Sequence, residues 1–412
     1  MAENFKIQTT EDVAGLNLVK GFKVAGAACD IRNKNDMSRL DVALIVSDIP
    51  ATGSGVFTTN DVKAAPVVLD IKKLEQSKTM RAIVANSGNA NACTGARGME
   101  DAENTCKIVA DLIGSDPDQV LVCSTGRIGE FMPMQKLKNG ISEAASKLSD
   151  SEQAAKEAAL AIMTSDTRPK TVLSVVEVGG KKISVAGMAK GAGMIEPNMA
   201  TMLAFIVSDA KISQPLLKKC LKTAADKTFN RITVDGDMST NDTVLCLCNG
   251  SSQVEVSESD KDILEAFQAA ITAVSRALAR KIVGDGEKIT KVVEVKVEGA
   301  RDEAQAEKIC RSIGNSLLVK SSWFGCDPNW GRLTDAAGYA RTGISIDKID
   351  LWYDGVEVLK KGQPVDANKP LWREIVAKKT FTITMNLNMG SASEAILAAD
   401  LTEEYVNFNK GE

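Results

Sequence analysis

Residues 190–205 read KGAGMIEPNMATMLAF, a glycine-bearing loop that runs into an apolar segment. The apolar part is typical of a buried strand, and a single threonine such as Thr201 is common where a loop enters one. Composition and spacing alone therefore predict a loop-to-strand junction at Ala200 and Thr201. Any chemistry at this junction has to be indicated by residues elsewhere in the chain.

Segments of strand length recur on both sides of this junction, with helical stretches between them. The apolar, β-branched segments are 41–48, 81–88, 119–126, 171–180, 201–209, 243–250, 291–299 and 381–390. Residues 99–114 and 257–283 have apolar side chains at the 3.6-residue spacing of an amphipathic helix. We therefore predict an α/β (α+β) protein with mixed sheets and covering helices.

Weak signals of domain organisation lie in the second half of the chain. One boundary is predicted at 285–300, after the long helix, and the loop at 190–200 is another candidate break. The segment 304–316 stands before an expected strand and a loop that contains proline and glycine. This order predicts a smaller C-terminal subdomain.

The composition is that of a globular protein of 412 residues, enough for two ordinary domains or one large one. The 50 basic and 54 acidic residues are mixed along the chain and give a net charge of −4, which argues against nucleic acid as a partner. No apolar run is long enough for a membrane span, and the N-terminus has no apolar targeting core. The nine cysteines lie mostly in apolar runs, as buried reduced thiols do. We therefore expect a cytoplasmic protein without membrane segments.

The chain contains no histidine. This excludes Ser-His-Asp and Cys-His catalysis, histidine zinc sites and histidine proton shuttles. A catalytic base near neutral pH must then be a carboxylate with a raised pKa, a lysine with a lowered pKa, a cysteine or a free α-amino group. The ordinary pKa of an α-amino group, roughly 7.7 to 8.0, already lies near neutrality.

Small polar residues end two of the predicted strands, ANSGNANACTG at 85–95 and CSTGRIG at 123–129. Such turns can present backbone N–H groups to a developing negative charge, but they are also ordinary turns. In GDGEKITK at 284–291, Glu287 follows a helix C-terminus, where the dipole does not stabilise a carboxylate. Glu287 is then either a partner for a cation or a solvated loop acid. Neither a dinucleotide fingerprint nor a phosphate-binding loop motif is present.

Three further motifs favour structural interpretations. VDGDMSTNDT at 234–243 holds three aspartates but lacks the spacing of a calcium loop, so we predict no metal site. Cys246 and Cys248 alternate within a strand pattern without a second pair, which predicts core positions. DPNWGR at 327–332 is first of all a turn pattern, although it could face a substrate.

The Ala200–Thr201 peptide offers one route to a catalytic base in a chain without histidine. If this peptide is strained, the Thr201 hydroxyl can attack the Ala200 carbonyl and shift the acyl group from nitrogen to oxygen. Water then cleaves the ester and leaves Thr201 as a new N-terminus, whose α-amine can activate its own hydroxyl. The residues are compatible with this scheme and do not require it.

Seven segments, taken in order, closely resemble the glutamate N-acetyltransferase family of arginine biosynthesis, also called ornithine acetyltransferases of the ArgJ type. They are ANSGNANACTG, CSTGRIG, MTSDTRPK, KGAGMIEPNMATMLAF, DGDMSTNDT, GDGEKITK and DPNWGR, and the likeness runs from about residue 12 to the end. The resemblance implies the layered α-β-β-α sandwich of ArgJ- and DmpA-like proteins, with a smaller C-terminal α/β subdomain.

The resemblance also implies a chain that cuts itself between Ala200 and Thr201. Residues 1–200 then form the α chain and 201–412 the β chain, in which 201–290 completes the main domain and 291–412 forms the C-terminal subdomain. The two chains stay together, typically as an α2β2 heterotetramer. Family members transfer an acetyl group from N2-acetyl-L-ornithine to L-glutamate by ping-pong kinetics, and some also use acetyl-CoA. No other cofactor and no metal is implied.

Site residues carried over from the resemblance are the nucleophile Thr201 and the oxyanion-hole pair Thr125 and Gly126. Substrate-contacting positions are matched by Thr164, Lys190, Thr201, Glu287 and Asn409. Lys190 can pair with the carboxylate of a zwitterionic amino acid, and Glu287 with its ammonium group.

Three positions depart from the family pattern. Glu196 stands where members commonly have histidine, and Arg127 stands where the residue is usually small and apolar. Relatives usually continue beyond Asn409 and finish with a threonine that touches substrate, and we expect that contact to have no counterpart here. Substrate choice is therefore less well indicated than the nucleophile.

Two other functions remain compatible with the sequence. An N-terminal-nucleophile amidohydrolase or aminopeptidase uses the same Thr201 but passes the acyl group to water. An uncut, inactive homologue acts as a structural or binding subunit. The identity of the acyl acceptor distinguishes the first from a transferase, and the intact mass of the chain identifies the second.

Overall fold

The structure is a computed structural model that describes residues 5–77, 79–196 and 202–410. The predicted cleavage site, Ala200 and Thr201, lies outside the described residues. The strands are β1 (Phe5–Glu11), β2 (Phe22–Ala27), β3 (Val42–Phe57), β4 (Met80–Asn89), β5 (Val120–Arg127), β6 (Lys170–Val178), β7 (Lys181–Lys190), β8 (Leu203–Ser208), β9 (Lys211–Ile212), β10 (Ile232–Thr233), β11 (Thr243–Cys248), β12 (Glu255–Val256), β13 (Val292–Ala300), β14 (Asp350–Tyr353), β15 (Val356–Lys360), β16 (Gln363–Pro364), β17 (Thr380–Asn386) and β18 (Ala392–Ala399). The helices are α1 (Ala65–Gln76), α2 (Gly95–Ile113), α3 (Met134–Ser146), α4 (Glu152–Ala161), α5 (Gln214–Asp226), α6 (Lys261–Val283), α7 (Glu303–Gly314), α8 (Leu317–Phe324), α9 (Trp330–Tyr339), α10 (Lys369–Val376) and α11 (Glu403–Phe408).

These elements form two compact units. The first unit contains most of the chain up to Ile282. The second unit contains the chain from Val283 onward, together with Arg231–Asp237 and a segment that begins at Ala192. The second unit is therefore assembled from three stretches of sequence.

The first unit is built on one long sheet. Within the described residues it has nine strands in the order β1-β6-β7-β8-β11-β3-β4-β5, with β2 beside β3. The first half of β3 pairs with β2 and β4, and its second half pairs with β11. A register shift between Val46 and Ala51 lies where β3 passes from one set of partners to the other.

Side chains of β3 alternate between two cores, as expected for a strand that is buried on both faces. One core combines residues from both halves of the sheet, among them Ala43, Ile45, Leu203, Phe205 and Leu245. The other core lies between the first half of the sheet and helices α2 and α3, and includes Val42, Leu44, Val109, Leu137 and Ile141.

Helix α6 covers the other outer face of the sheet, close to β7. Gly187 of β7 has no side chain, and a Cβ there would lie 2.8 Å from the side chains of both Val274 and Leu278. The absence of a side chain at Gly187 lets the helix approach the strand closely. The two halves of the long sheet share one core and form the two β layers, with helices outside them. The first unit is thus a layered α-β-β-α sandwich, and the predicted fold class is confirmed.

The second unit has its own sheet and its own core. Within the described residues the sheet has seven strands in the order β10-β18-β13-β17-β14-β15-β16. Strand β13 pairs parallel with β17 and antiparallel with β18, so the sheet is mixed. Its core includes Val293, Val295, Ile309, Ile313 and Trp323. This is the smaller C-terminal α/β subdomain that the resemblance implies.

All eight predicted strands are present, but the expectations around helices α6 and α8 were wrong. Helix α6 begins at Lys261 and not at 257, because Glu255–Val256 pairs with β9 as the short strand β12. The segment 304–316 precedes helix α8 and not a strand. The Ser316 hydroxyl accepts the Val319 N–H at 3.3 Å, and this N-cap starts the helix.

The cysteines follow the prediction only in part. All nine are free thiols, and seven are buried, but Cys93 and Cys326 are exposed. Cys246 and Cys248 are core residues of β11, as predicted. Among the described residues, no helix combines the length and the apolar character needed to cross a membrane. The same part of the chain holds no cluster of three or more cysteine, aspartate or glutamate residues placed to bind a metal ion.

Candidate active site

The predicted oxyanion pair lies at the end of β5, next to the parallel strand β4. Thr125 stands opposite Ser87 and Gly126 stands opposite Gly88 in this pairing. Gly126 has φ +133°, and a Cβ at this position would lie 2.5 Å from the Asn89 nitrogen and even closer to the Gly88 backbone. Only glycine therefore fits at position 126, because the neighbouring backbone leaves no room for a side chain.

A buried hydrogen-bond network, made mainly by asparagine side chains, fixes this turn. The Ser124 hydroxyl donates to Asn86 Oδ1 at 2.7 Å, and Asn86 Nδ2 donates to the Asn89 carbonyl at 2.9 Å. Asn241 Nδ2 donates to the carbonyls of Ala90 and Ser124 at 2.6 and 2.8 Å. Three of the quoted motifs, at 85–95, 123–129 and 234–243, therefore meet here, and their buried polar groups satisfy one another.

Asp166 organises a second part of the first unit. One carboxylate oxygen accepts Lys170 Nζ at 2.6 Å and the Gly191 N–H at 2.7 Å, and the other accepts the Thr164 N–H at 3.0 Å. The side chains of Asp166 and Lys170 are both completely buried. Burial opposes ionisation of Asp166, but the charges of Lys170 and Lys190 and these hydrogen bonds outweigh it and lower the pKa of the carboxyl.

Thr164 and Lys190, two of the predicted substrate contacts, are brought together by this carboxylate. Asp166 binds the backbone of Thr164 directly and binds the backbone of Gly191, the residue that follows Lys190. The Lys190 side chain is only 2% exposed, so its charge lies inside the protein. A buried cation of this kind attracts a carboxylate more strongly than a surface lysine does.

Asp242 holds the first described residue after the predicted cleavage site. Its Oδ1 accepts the Met202 N–H at 3.0 Å, and the Thr243 N–H donates to the Met202 carbonyl at 3.1 Å. The backbone of Met202 is thereby fixed on both sides where the chain enters β8.

Glu287 and Asn409, the remaining substrate contacts, lie together in the second unit. Asn409 Nδ2 donates to Glu287 Oε2 at 3.3 Å, and the Glu287 N–H donates to the Ala192 carbonyl at 2.9 Å. A Cβ on Gly193 would lie 2.5 Å from the Glu287 carboxylate. The glycine leaves the space that the Glu287 carboxylate occupies, which gives a physical reason for the KGAG sequence.

Asp235 anchors the segment that leads to the predicted cleavage site. Its carboxylate accepts the N–H groups of Met194 at 2.6 Å and Ile195 at 2.7 Å, and the Val234 N–H donates to the Ile195 carbonyl at 2.8 Å. The Tyr405 hydroxyl also donates to Asp235, at 3.2 Å. Asp235 and Asp242, two of the three acids of the 234–243 motif, therefore bind backbone N–H groups.

The two substitutions that depart from the family pattern are each matched by an opposite charge. Glu196 lies 3.5 Å from the Arg311 guanidinium, and burial raises the pKa of its carboxyl. Arg127 points to Glu130, at 3.3 Å, on the surface. The negative charge expected from Glu196 beside the cleavage segment is thus offset by a neighbouring arginine.

The predicted site residues fall into the two units. The first unit holds Thr125, Gly126, Thr164 and Lys190, the second holds Glu287 and Asn409, and Ala200 and Thr201 lie outside the described residues. The sequence interpretation did not identify Asp166, and it considered Asp235 and Asp242 only as metal ligands. Their one sequence signal is an aspartate in a loop rich in serine, threonine and other small or turn-forming residues, a context in which carboxylates commonly bind backbone N–H groups.

Several known proteins are similar to this chain. The ArgJ family pattern matches residues 23–411 of this chain. An arginine biosynthesis bifunctional protein ArgJ from Geobacter sulfurreducens is 44% identical over 392 residues, which cover 95% of this chain and 98% of that protein. The protein of the same name from Symbiobacterium thermophilum is 42% identical over 395 residues, 96% of this chain and 97% of that one. Among solved structures, the ornithine acetyltransferase of Mycobacterium tuberculosis in complex with ornithine is 37% identical, with a TM-score of 0.42, over 46% of this chain and 98% of that chain.

Proposed function

We propose, since this chain belongs to the ArgJ family, that it is a self-cleaving acetyltransferase of arginine biosynthesis. The observation that carries the proposal is the family match over residues 23–411, together with relatives of 41 to 44% identity that are named arginine biosynthesis bifunctional proteins. The enzyme moves the acetyl group of N2-acetyl-L-ornithine to L-glutamate.

Thr201 is the nucleophile in this proposal. Cleavage of the Ala200–Thr201 peptide frees the α-amine of Thr201, which takes the proton of the hydroxyl as its oxygen attacks the acetyl carbonyl. The amide bond of acetylornithine breaks, ornithine leaves with the proton, and an acetyl-threonine ester remains. The amine of glutamate then attacks this ester and regenerates the hydroxyl, so the kinetics are ping-pong. The absence of histidine supports an α-amine as the base.

Thr125 and Gly126 stabilise the oxyanion in both half-reactions. The buried amide network around Asn86 and Asn241 supports this role because it holds the turn in place before substrate arrives. Preorganised donors of this kind are worth about 3 to 4 kcal/mol each in the transition state.

Charge complementarity supports the substrate roles. Lys190, buried beside the Asp166 carboxylate, pairs with the substrate carboxylate, and Thr164 lies on the same carboxylate anchor. Glu287, held by Asn409, pairs with the substrate ammonium group. Acetylornithine and glutamate both carry an α-carboxylate, so one cation can serve both half-reactions.

Three finer points belong to the same proposal. Acetyl-CoA serves as a second acetyl donor for glutamate, in keeping with relatives that are named bifunctional. The α and β chains assemble as an α2β2 heterotetramer in the cytoplasm. Release of free CoA thiol in the presence of glutamate tests the use of acetyl-CoA, and the mass of the native protein tests the heterotetramer.

The decisive experiment supplies purified protein with N2-acetylornithine, with and without glutamate. Acetylglutamate that forms only when glutamate is present supports the transferase. Ornithine and acetate released at the same rate without glutamate would instead identify an amidohydrolase. A single uncut chain of 43.8 kDa by intact mass, with no activity, would reject both enzymes.

Thr201→Ala removes the nucleophile and is expected to leave one unprocessed chain without acetyl transfer. Two chains of normal activity in this variant would refute the assignment.

Glu287→Ala is expected to be cleaved but to turn over slowly, and unchanged kinetics would remove Glu287 from the site.

A further inference from the structure

One carboxyl oxygen next to the predicted cleavage site has no assigned task. Asp242 is completely buried, and its Oδ1 accepts the Met202 N–H at 3.0 Å. Its Oδ2 has no hydrogen-bond partner in the part of the chain that the structure describes. A buried carboxyl oxygen without a partner is destabilising, so its retention calls for a reason.

The surroundings of Asp242 fix this carboxyl in place. Its own carbonyl accepts the Thr58 N–H at 3.0 Å, and the next residue, Thr243, begins β11 and donates to the Met202 carbonyl at 3.1 Å. Strand β11 then continues parallel to β8, with Thr243 opposite Leu203. The N–H that Asp242 accepts belongs to the peptide group that joins Thr201 to Met202.

The charge environment suits proton transfer. Burial raises the pKa of the Asp242 carboxyl well above its ordinary value, while the N–H groups of Met202 and Ser239 and the positive charge of Lys190 act in the opposite direction. Lys190, on β7, is the charged side chain identified as acting on this carboxyl. A carboxylate with a raised pKa is a better base near neutral pH than an ordinary aspartate, and this chain has no histidine to take that role.

We propose that Asp242 is the group that moves the proton in the self-cleavage of the chain. As the Thr201 oxygen attacks the Ala200 carbonyl carbon, the Asp242 carboxylate takes the hydroxyl proton. It then gives that proton to the Thr201 nitrogen as the C–N bond breaks and the C–O ester forms. Water hydrolyses the ester to release the Ala200 carboxylate and the Thr201 hydroxyl. This step rests on the proposed function, because it presumes cleavage at Thr201.

An alternative is that Asp242 only anchors β8, and the two roles can be separated. Asparagine has the same shape and keeps the Oδ1 that accepts the Met202 N–H, but it cannot carry the proton. Asp242→Asn therefore preserves the anchor and removes the chemistry. Asp70 is a matched control because it is another buried carboxyl of the first unit that accepts a single backbone N–H, from Val122 at 2.9 Å.

The test follows cleavage of freshly synthesised full-length chain by intact mass over time. We expect wild type and Asp70→Asn to be cut, and Asp242→Asn to be folded but cut at least 100-fold more slowly, since general acid–base groups contribute about 10²- to 10⁴-fold. Cleavage of Asp242→Asn at the wild-type rate would overturn the proposal. A wild-type chain that is never cut would defeat the proposed function itself, and this is a different observation.

Thermal unfolding of each variant separates loss of chemistry from loss of folding. If Asp242→Asn does not fold, Asp242→Glu carries the test, because it keeps an acid at this position. A folded glutamate variant whose cleavage rate rises with pH supports the proposal. A folded glutamate variant cut at the wild-type rate without any pH dependence contradicts it.

Discussion

Gly126 is the residue at which backbone geometry most directly limits the site. Its φ of +133° and the adjacent Gly88 and Asn89 backbone exclude any side chain. We expect Gly126→Ala to destabilise the protein by about 3 kcal/mol, since strain and overpacking add, and to abolish acetyl transfer. Urea unfolding and kcat measure the two effects.

Gly114 provides the control for this substitution. It also has a positive φ, +67°, but a Cβ there meets nothing within 4 Å. Gly114→Ala is expected to cost only about 1 kcal/mol of stability and to leave turnover unchanged. Equal losses of activity in the two variants would show that the close approach at Gly126 is not what matters.

Asp166 supports a second prediction, because it is the carboxylate partner of the buried Lys170. Asp166→Asn is expected to lower the free energy of unfolding by about 3 to 5 kcal/mol and to raise KM for the amino-acid substrates through Thr164 and Lys190. The exposed pair Glu143–Lys147 has the same i,i+4 spacing. Glu143→Gln should change stability by about 0.5 kcal/mol or less.

The pH dependence of this effect has a defined sign. Because the folded-state pKa of Asp166 lies below its ordinary value of 3.8, the carboxylate stabilises the fold above that value and loses the effect as the pH falls through the folded-state pKa. The stability difference between wild type and Asp166→Asn should therefore be constant near neutral pH and shrink below about pH 4. A difference that grows on acidification would contradict the assignment.

What the sequence could predict at the scale of single residues depends on whether a local pattern exists. Thr125 and Gly126 end a strand in a cluster of turn residues, and Glu287 follows a helix, so local spacing drew attention to them. Asp166 and Asp242 act on backbone N–H groups 25 and 40 residues away. No periodicity marks such a pair, so only the folded chain reveals it.

At the scale of elements, the strand β3 differs most from its sequence pattern. Its apolar run predicts 41–48, yet the strand continues to Phe57 through a stretch that contains proline and glycine. A Cβ on Gly53 would lie 2.6 Å from the Met80 side chain, and one on Gly55 would lie 2.6 Å from the Phe57 ring. The small residues extend the strand because they let neighbouring side chains close over it, which single-strand propensity does not include.

Helix α11 supports a prediction at this scale, because Asn409 follows its last turn. The Thr402 hydroxyl caps the helix by accepting the Tyr405 N–H at 3.0 Å, and it donates to the Lys288 carbonyl at 2.8 Å. Thr402→Ala is expected to cost about 1 kcal/mol and to raise KM several-fold, because Asn409 no longer holds Glu287 in place. Steady-state kinetics and hydrogen exchange of α11 measure this.

Ser316, the N-cap of α8, is the matched control for Thr402. Ser316→Ala removes a hydroxyl cap of the same kind in the same unit, and it should lose similar stability with an unchanged KM. A rise in KM in both variants would mean that general loosening of the unit, and not the position of Asn409, is responsible.

At the scale of the whole molecule, the proposed cleavage would divide the second unit between the two chains. The segment that begins at Ala192 belongs to the proposed α chain, whereas Asp235 and the residues after Val283 belong to the β chain. Asp235→Ala leaves the N–H groups of Met194 and Ile195 without their acceptor. The loss of these hydrogen bonds should weaken the association of the two cleaved chains by about 2 kcal/mol. We therefore expect the chains of this variant to separate at a lower urea concentration than those of the wild type.

Asp302, the N-cap of α7, provides an acidic control in the same unit, since among the described residues its side chain accepts only a local N–H, from Gln305 at 2.7 Å. Asp302→Ala should weaken α7 without promoting separation of the chains. Size-exclusion chromatography in increasing urea distinguishes the two variants. If both separate alike, Asp235 has no special part in holding the α chain.

The layered sandwich and the smaller C-terminal unit could be predicted, since both follow from recurring strand and helix patterns and from the resemblance. The three-part construction of the second unit could not. It depends on Ala192, Met194 and Ile195 binding groups that lie far along the chain, and those contacts use backbone atoms that every sequence has.

The long strand β3 also sets an order of events during synthesis. The second half of β3 pairs with β11, which follows the proposed cut in the sequence. The first half of β3 pairs with β2 and β4, which both precede the proposed cut. The nascent chain therefore carries an unpaired strand edge until residues 243–248 have left the ribosome, a period in which such edges are prone to aggregate. The sheet that brings Asp242 and Thr243 to Met202 is complete only after that. The proposed cleavage then follows translation of the sheet, and we expect a chain that stops before β11 neither to close its sheet nor to cleave itself.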